Sequence, residues 1–115
     1  MCQDEIRPGT LYLLILRTLT RFCEMHRYEI ANSIQQISDG VLQTEEGSLY
    51  PALQRMLIKG WVSAKWGTTS ENRRARYYQP TAAGRKQLLV EMSQFEHVIW
   101  AITRLIRCGL KGVLT

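Results

Sequence analysis

Arg73, Arg74 and Arg76 stand within a stretch, Lys59 to Lys86, that holds seven Lys and Arg residues and a single acid, Glu71. The stretch carries +6 and the rest of the chain −1, for a net charge of +5. Guanidinium groups fork onto phosphate oxygens, and one basic region on an otherwise balanced chain is the electrostatic footprint of a phosphate binder. A solvated charged face is the plainer alternative, and charge by itself does not separate the two. A second group, Ser48, Tyr50, Gln54 and Arg55, falls within eight residues of what reads as a helix. Hydroxyls suit phosphate oxygens, Gln can pair with adenine and Arg with guanine. Each also has an ordinary role: a local backbone hydrogen bond for Ser48, a half-buried ring for Tyr50, an exposed helix face for Gln54 and Arg55. Asn72 suits a turn at the tip of the basic stretch, with a phosphate contact as its second role.

Other chemistry finds no support in the spacing. His26 and His97 lie far apart, with no second metal ligand at a useful distance from either. No hydroxyl or thiol has a base beside it, and no Gly-rich phosphate loop occurs. We therefore read a non-enzyme that uses no cofactor and no metal. At 115 residues and 13.3 kDa, with 45% hydrophobic residues, one domain with a small core is expected, for which a second copy would supply cover. Cys2, Cys23 and Cys108 are odd in number and widely spaced, which favours reduced thiols in a cytoplasm over a disulfide framework. The longest apolar run, Leu13 to Leu16, is too short to span a bilayer, and the acidic start is unlike a signal peptide. A cytoplasmic location with no membrane partner is the expectation.

These residues need elements to position them. Residues 1 to 8 read as a tail, after which Thr10 caps a helix with apolar residues Leu11, Leu14, Ile15, Leu19 and Phe22. Leu13 and Leu16 lie off that stripe, so this helix is buried on more than one side. A break follows at Cys23 to His26. A second helix runs from about Arg27 to Ser38 on a row of Ile30, Ile34 and Ile37, and Gly40 supplies the left-handed stop. Thr44 caps a third helix, with Glu45 and Glu46 in its first turn and Leu49, Leu53, Met56 and Leu57 inward. Pro51 falls inside this helix, where Gly47, four residues earlier, lets the turn adjust. Val62, Ala64 and Trp66 alternate as one strand and Arg76 to Gln79 form a second, joined by a long exposed tip from Gly67 to Arg74. Trp61 and Tyr78 read as core beneath this hairpin. Thr81 caps the last helix, and Gly109 to Thr115 reads as a frayed tail.

Helices, a hairpin and a long final helix in this order define a mainly α (α+β) fold. It is a winged helix-turn-helix with a two-stranded β wing. Residues 1–80 form the winged unit and residues 81–115 the C-terminal helix and tail. The third helix would enter a major groove of double-stranded DNA, and Arg73, Arg74 and Arg76 would meet phosphates or the minor groove beside it.

The blocks Gly9-Thr-Leu-Tyr-Leu-Leu-Ile-Leu16, Met25-His-Arg-Tyr-Glu-Ile30, Glu45-Glu-Gly-Ser-Leu-Tyr-Pro-Ala-Leu53, Lys59-Gly-Trp-Val62 and Arg73-Arg-Ala-Arg-Tyr-Tyr78, then Thr81-Ala-Ala-Gly84, resemble the PadR family of bacterial transcriptional regulators. The likeness spans about residues 9 to 105, and its third block is highly specific. It implies a winged helix-turn-helix, a homodimer built through the C-terminal helix, and repression of a nearby promoter. In some members a small aromatic or drug-like effector relieves that repression. Arg27 departs from the family's usual Gly and adds a cation at the start of the second helix, so it joins the DNA-facing candidates. Leu57 and Ile58 replace charged residues and Pro80 an aliphatic one.

On the last helix Leu88, Met92, Phe95, Ile99, Ile102 and Ile106 follow one another in steps of 4, 3, 4, 3 and 4, a heptad seam suited to a homodimer. Leu11 of the first helix is expected to contribute to the same contact. Phe95, Ile99 and Trp100 are most simply packed dimer core; a sharper reading has them line a slot for a planar aromatic effector. Two other functions compete: a winged-helix protein-interaction module, which the basic wing argues against, and a small-molecule sensor with incidental DNA affinity.

Overall fold

The computed structural model describes residues 8–44 and 46–114. Its elements are α1 (Pro8–Phe22), β1 (Met25–His26), α2 (Arg27–Ile37), α3 (Glu46–Lys59), β2 (Val62–Thr68), β3 (Arg74–Pro80) and α4 (Ala82–Leu114). The core lies where α1, α2, α3, the sheet and the start of α4 meet. Ile15, Leu16 and Leu19 of α1, Ile30 of α2, and Ala52, Leu53 and Met56 of α3 have no exposure to solvent. Each such Leu, Ile or Met side chain stabilises the fold by about 1.5–3 kcal/mol. Leu16 is as buried as Ile15, and Leu13 and Leu14 pack against the cluster, so α1 is covered on several sides. Its expected stripe nevertheless ends early, because Phe22 at the last turn is exposed. The row on α2 also stops short: Ile37 is exposed, and Ser33 is buried beside Ile30 and Ile34.

Several element ends differ from expectation. The first helix begins at Pro8, whose missing N–H costs nothing in a first turn, so Thr10 lies inside α1 rather than capping it. The end of α2 is made by Asp39, not Gly40 alone: Asp39 has φ 57°, its N–H donates to Gln36 O, and Gly40 N–H donates to Gln35 O. This is a Schellman stop with an aspartate in the left-handed place. Among the described residues Thr44 caps nothing: α3 is described from Glu46, the Thr44 hydroxyl is buried with no hydrogen-bond partner among them, and Glu45 lies outside them. Past Gly109, α4 continues to Leu114, where a tail is expected from the sequence.

The sheet has three antiparallel strands in the order β1-β3-β2, one more than the expected wing. Met25 pairs with Tyr78 and His26 with Tyr77, so the expected break after α1 is a short edge strand. Across the hairpin Ala64 pairs with Tyr78, Trp66 with Arg76 and Thr68 with Arg74. The strands therefore run two residues further than their sequence pattern shows, and the tip shrinks to residues 69–73. Thr69 ties it down: its N–H donates to Arg73 O, and its hydroxyl accepts from the N–H groups of Glu71 and Arg73. Asn72 takes the left-handed conformation (φ 66°) that this turn requires.

The start of α4 is locked to the turn after α3. Thr81 caps it by accepting from Gly84 N–H at 3.0 Å, while Thr81 N–H donates to Trp61 O and its hydroxyl donates to Gly60 O. A side chain at Gly84 would run into the Trp61 carbonyl, so this close approach requires glycine. Among the described residues, no helix is long and apolar enough to cross a membrane.

Candidate nucleic-acid interface

One face of the hairpin carries Val62, Ala64 and Trp66 from β2 against Tyr78, Arg76 and Arg74 from β3, because side chains alternate along a strand. Val62 and Tyr78 close over the core, while Trp66 and the two arginines stand beyond it. The guanidinium of Arg74 lies 4.5 Å from the centre of the Trp66 ring and that of Arg76 6.0 Å. Opposite them, Arg27 at the start of α2 lies 5.0 Å from the ring of Tyr28 and 5.6 Å from that of Tyr50 on α3. Between these walls is an open cleft of about 680 Å³, bounded at its far end by the wing tip. Glu71, at that tip, is the one acidic residue along its lining among the described residues.

The start of α2 is set by His26 and Glu29, which cap each other. His26 Nδ1 accepts from Glu29 N–H, and Glu29 Oε1 accepts from His26 N–H at 3.1 Å. Arg27 follows immediately and is thereby fixed at the cleft. On the other side of the hairpin Tyr77 covers Gly67, and Lys65 pairs with Glu24 at 3.1 Å. This pairing partly neutralises that side and leaves the cationic excess on the cleft side. Tyr78 sits at the base of the cleft with its hydroxyl pKa raised from 10.0 by burial. Tyr50 adds to the rise, while Arg76, Arg27 and the Gln54 amide oppose it.

The residues singled out from the sequence separate into groups. Arg27, Tyr50, Arg73, Arg74 and Arg76 line the cleft. Ser48 is exposed in the first turns of α3, and Asn72 serves the tip turn. Gln54 departs from the expected exposed face: its Nε2 is buried on the side of Tyr78, whose hydroxyl it faces. Arg55 faces α1, where its Nε donates to the Tyr12 hydroxyl at 2.8 Å. Its side chain remains exposed. Sequence reasoning missed Tyr28 and Trp66 as cleft residues. For Trp66 the signal was present, since an apolar strand row reaches past the last core partner into the basic segment.

The seam of α4 also divides. Leu11 and Leu88 are 3% and 6% exposed, spent on the core of their own chain, and Met92 packs against that core. From Phe95 onward Ile99, Ile102 and Ile106 are exposed. Trp100 does not share their face. Five residues turn a helix by about 140° past a full turn, so its ring points well away from Phe95. It is stacked with His97 at 6.1 Å and covered by Arg104 at 5.4 Å. Among the described residues, no group of three His, Cys, Asp or Glu is placed to hold a metal ion.

A three-helix unit, a basic two-stranded wing and a cationic cleft between wing and helices define a winged helix-turn-helix of the DNA-binding regulator class. The chain belongs to the transcriptional regulator PadR-like family, whose model matches residues 15–89. It is 28% identical over 102 residues to an uncharacterized protein of Lysinibacillus sphaericus, covering 86% of this chain and 93% of that one. Among solved structures, a transcriptional regulator from Clostridium thermocellum superposes with a TM-score of 0.76 at 25% identity, over 84% of this chain and 92% of that chain. A PadR-like transcriptional regulator from Bacillus cereus has the same fold, with a TM-score of 0.71 at 24% identity, over 85% and 92% of the two chains.

Proposed function

We propose that this regulator is a repressor that binds a palindromic operator as a homodimer. In this reading residues 1–80 hold the DNA and residues 81–115 hold the partner copy. The observation that carries the DNA contact is the cleft, where arginines from α2 and from β3 face one another across a gap beside α3. Arg73, Arg74 and Arg76 neutralise phosphates, Arg27 does so from the opposite wall, and Ser48 and Tyr50 contact the backbone from α3. Gln54 reads a base only after turning out from Tyr78. For the dimer, the support is the run of exposed apolar residues Phe95, Ile99, Ile102 and Ile106 on a helix that extends beyond its own core. Two copies related by a two-fold axis would place two α3 helices on successive major-groove faces.

Relief by a planar aromatic effector belongs to the same proposal. Phe95 and Ile99 of the two copies would bound the slot, with Trp100 at its rim. Filling it would change the angle between the paired α4 helices and so the spacing of the two α3 helices.

Selection of bound fragments from a genomic DNA pool tests the central reading. Recovery of an inverted repeat with half-sites about one helical turn apart supports it. Recovery of no enriched sequence overturns the repressor reading, and enrichment of a single half-site overturns the dimeric one.

A further inference from the structure

The side-chain row that packs the sheet onto the core does not stop where the core does. Val62 is 3% exposed and Tyr78 2%, but Trp66, past the half-buried Ala64 on the same row, is 59% exposed. What covers part of its ring is charge: Arg76 is its direct partner across the hairpin, and Arg74 its diagonal neighbour. The opposite wall of the cleft repeats the device, with Arg27 over Tyr28 and Tyr50. A guanidinium stacked on a ring is held by its face, while its N–H groups lie in its plane and point outward. On the wing wall this keeps donors of Arg74 and Arg76 directed into the gap at little further cost in side-chain freedom, while on the opposite wall Arg27 Nη2 donates to the Tyr28 hydroxyl at 3.3 Å.

Resting on the DNA-binding reading above, we propose that the cleft takes one phosphodiester strand of a duplex and that Trp66 is the positioning residue of its wing wall. Its ring keeps Arg74 and Arg76 aimed at adjacent phosphates, and its free face packs on the deoxyribose between them. A polyanion is the occupant that suits the charge, because cations stand on both walls of an open trough formed by separate elements. The remaining apolar surface of the indole suits a sugar face, which a bare phosphate does not supply.

The test is anisotropy titration of a labelled random-sequence duplex of about 30 base pairs at low salt, a non-specific probe whose binding rests on phosphate contacts. It uses the whole chain and the variants W66F, W66A, R74A and W66A/R74A. W66A should weaken binding about tenfold, with W66F between it and the wild type, since the indole is the best cation–π ring. The double variant should bind about as weakly as the worse single variant, because both changes remove one coupled unit. Trp66 is exposed, so the melting temperature of W66A should stay close to that of the wild type. Three results overturn the proposal while leaving the DNA reading intact: W66A binding like the wild type, W66F as weak as W66A, or losses in W66A and R74A that multiply. Wild-type protein that binds no duplex at any salt removes the DNA reading and this proposal with it.

Discussion

Asp39 occupies the left-handed residue of the α2 stop with a side chain that pays for that conformation, and Gly40 follows it at φ 80°. Asp39→Gly should stabilise the chain by about 0.5–1 kcal/mol, because glycine takes positive φ without the Cβ clash. A raised urea midpoint at unchanged slope would show it; an unchanged or lowered midpoint would mean that the aspartate side chain does more than tolerate the turn. Tyr78 makes a second prediction at this scale. Burial raises its hydroxyl pKa above 10.0, so the unfolded chain gives up this proton first as pH rises. Stability from this group is complete below about pH 10 and falls as pH climbs toward the folded pKa, by about 1.4 kcal/mol per pH unit. In Tyr78→Phe that part of the alkaline loss should vanish in denaturant titrations between pH 9 and 11. Parallel losses in both proteins would show that the hydroxyl ionises equally well in either state.

Where α4 leaves the wing, Gly84 lets it approach the turn after α3 closely. The turn after α3 is a Schellman stop: Gly60 N–H donates to Leu57 O and Trp61 N–H to Met56 O. Its Trp61 carbonyl then accepts from Thr81 and lies directly against Gly84. Gly84→Ala should cost about 1–3 kcal/mol, the ordinary penalty for overpacking, because a carbonyl held by a hydrogen bond cannot swing aside. A fall in melting temperature is the expected readout. Gly9 offers the control, since a Cβ there meets only ordinary contact with a Glu91 oxygen at 3.8 Å, and Gly9→Ala should leave stability little changed. Equal melting temperatures for both variants would contradict the account of how α4 is docked.

At the scale of the whole molecule, a long axis of 61 Å follows from α4, whose 33 residues span about 50 Å at 1.5 Å per residue. Leu88 and Met92 anchor its first turns, but beyond Phe95 the helix has few contacts with its own chain, and isolated helices are marginal in water. The expected remedy is a second copy. Light scattering at micromolar concentration should give twice 13.3 kDa, and Ile102→Glu should give the single mass by placing a charge in the seam. The variant should keep the thermal transition of the winged unit while losing helical signal from α4. A wild-type mass of 13.3 kDa would remove the dimer and the expectation of a palindromic site together.

Periodicity determines much of this protein from the sequence alone. The order of the four helices and the hairpin strands, and most of the inward rows of α1 and α3, follow from spacings of 3.6 and 2 residues. The clustering of arginines and the Thr81 cap are equally local features, legible because neighbouring residues suffice to make them. Boundaries and orientations were not legible. His26 and Met25 become a strand only because β3 presents a free edge to them, and no local pattern in two residues announces that pairing. Gln54 and Arg55 look alike as exposed helix positions, yet Tyr78, distant in sequence, buries the Gln54 amide, while Arg55 stays exposed and bonded to Tyr12. Trp66 is a strand residue by sequence and a cleft residue by structure, since only the packed core shows where the buried row ends. The sequence determines which residues share a face; the tertiary structure decides what each face meets, because that depends on contacts between segments that periodicity does not relate.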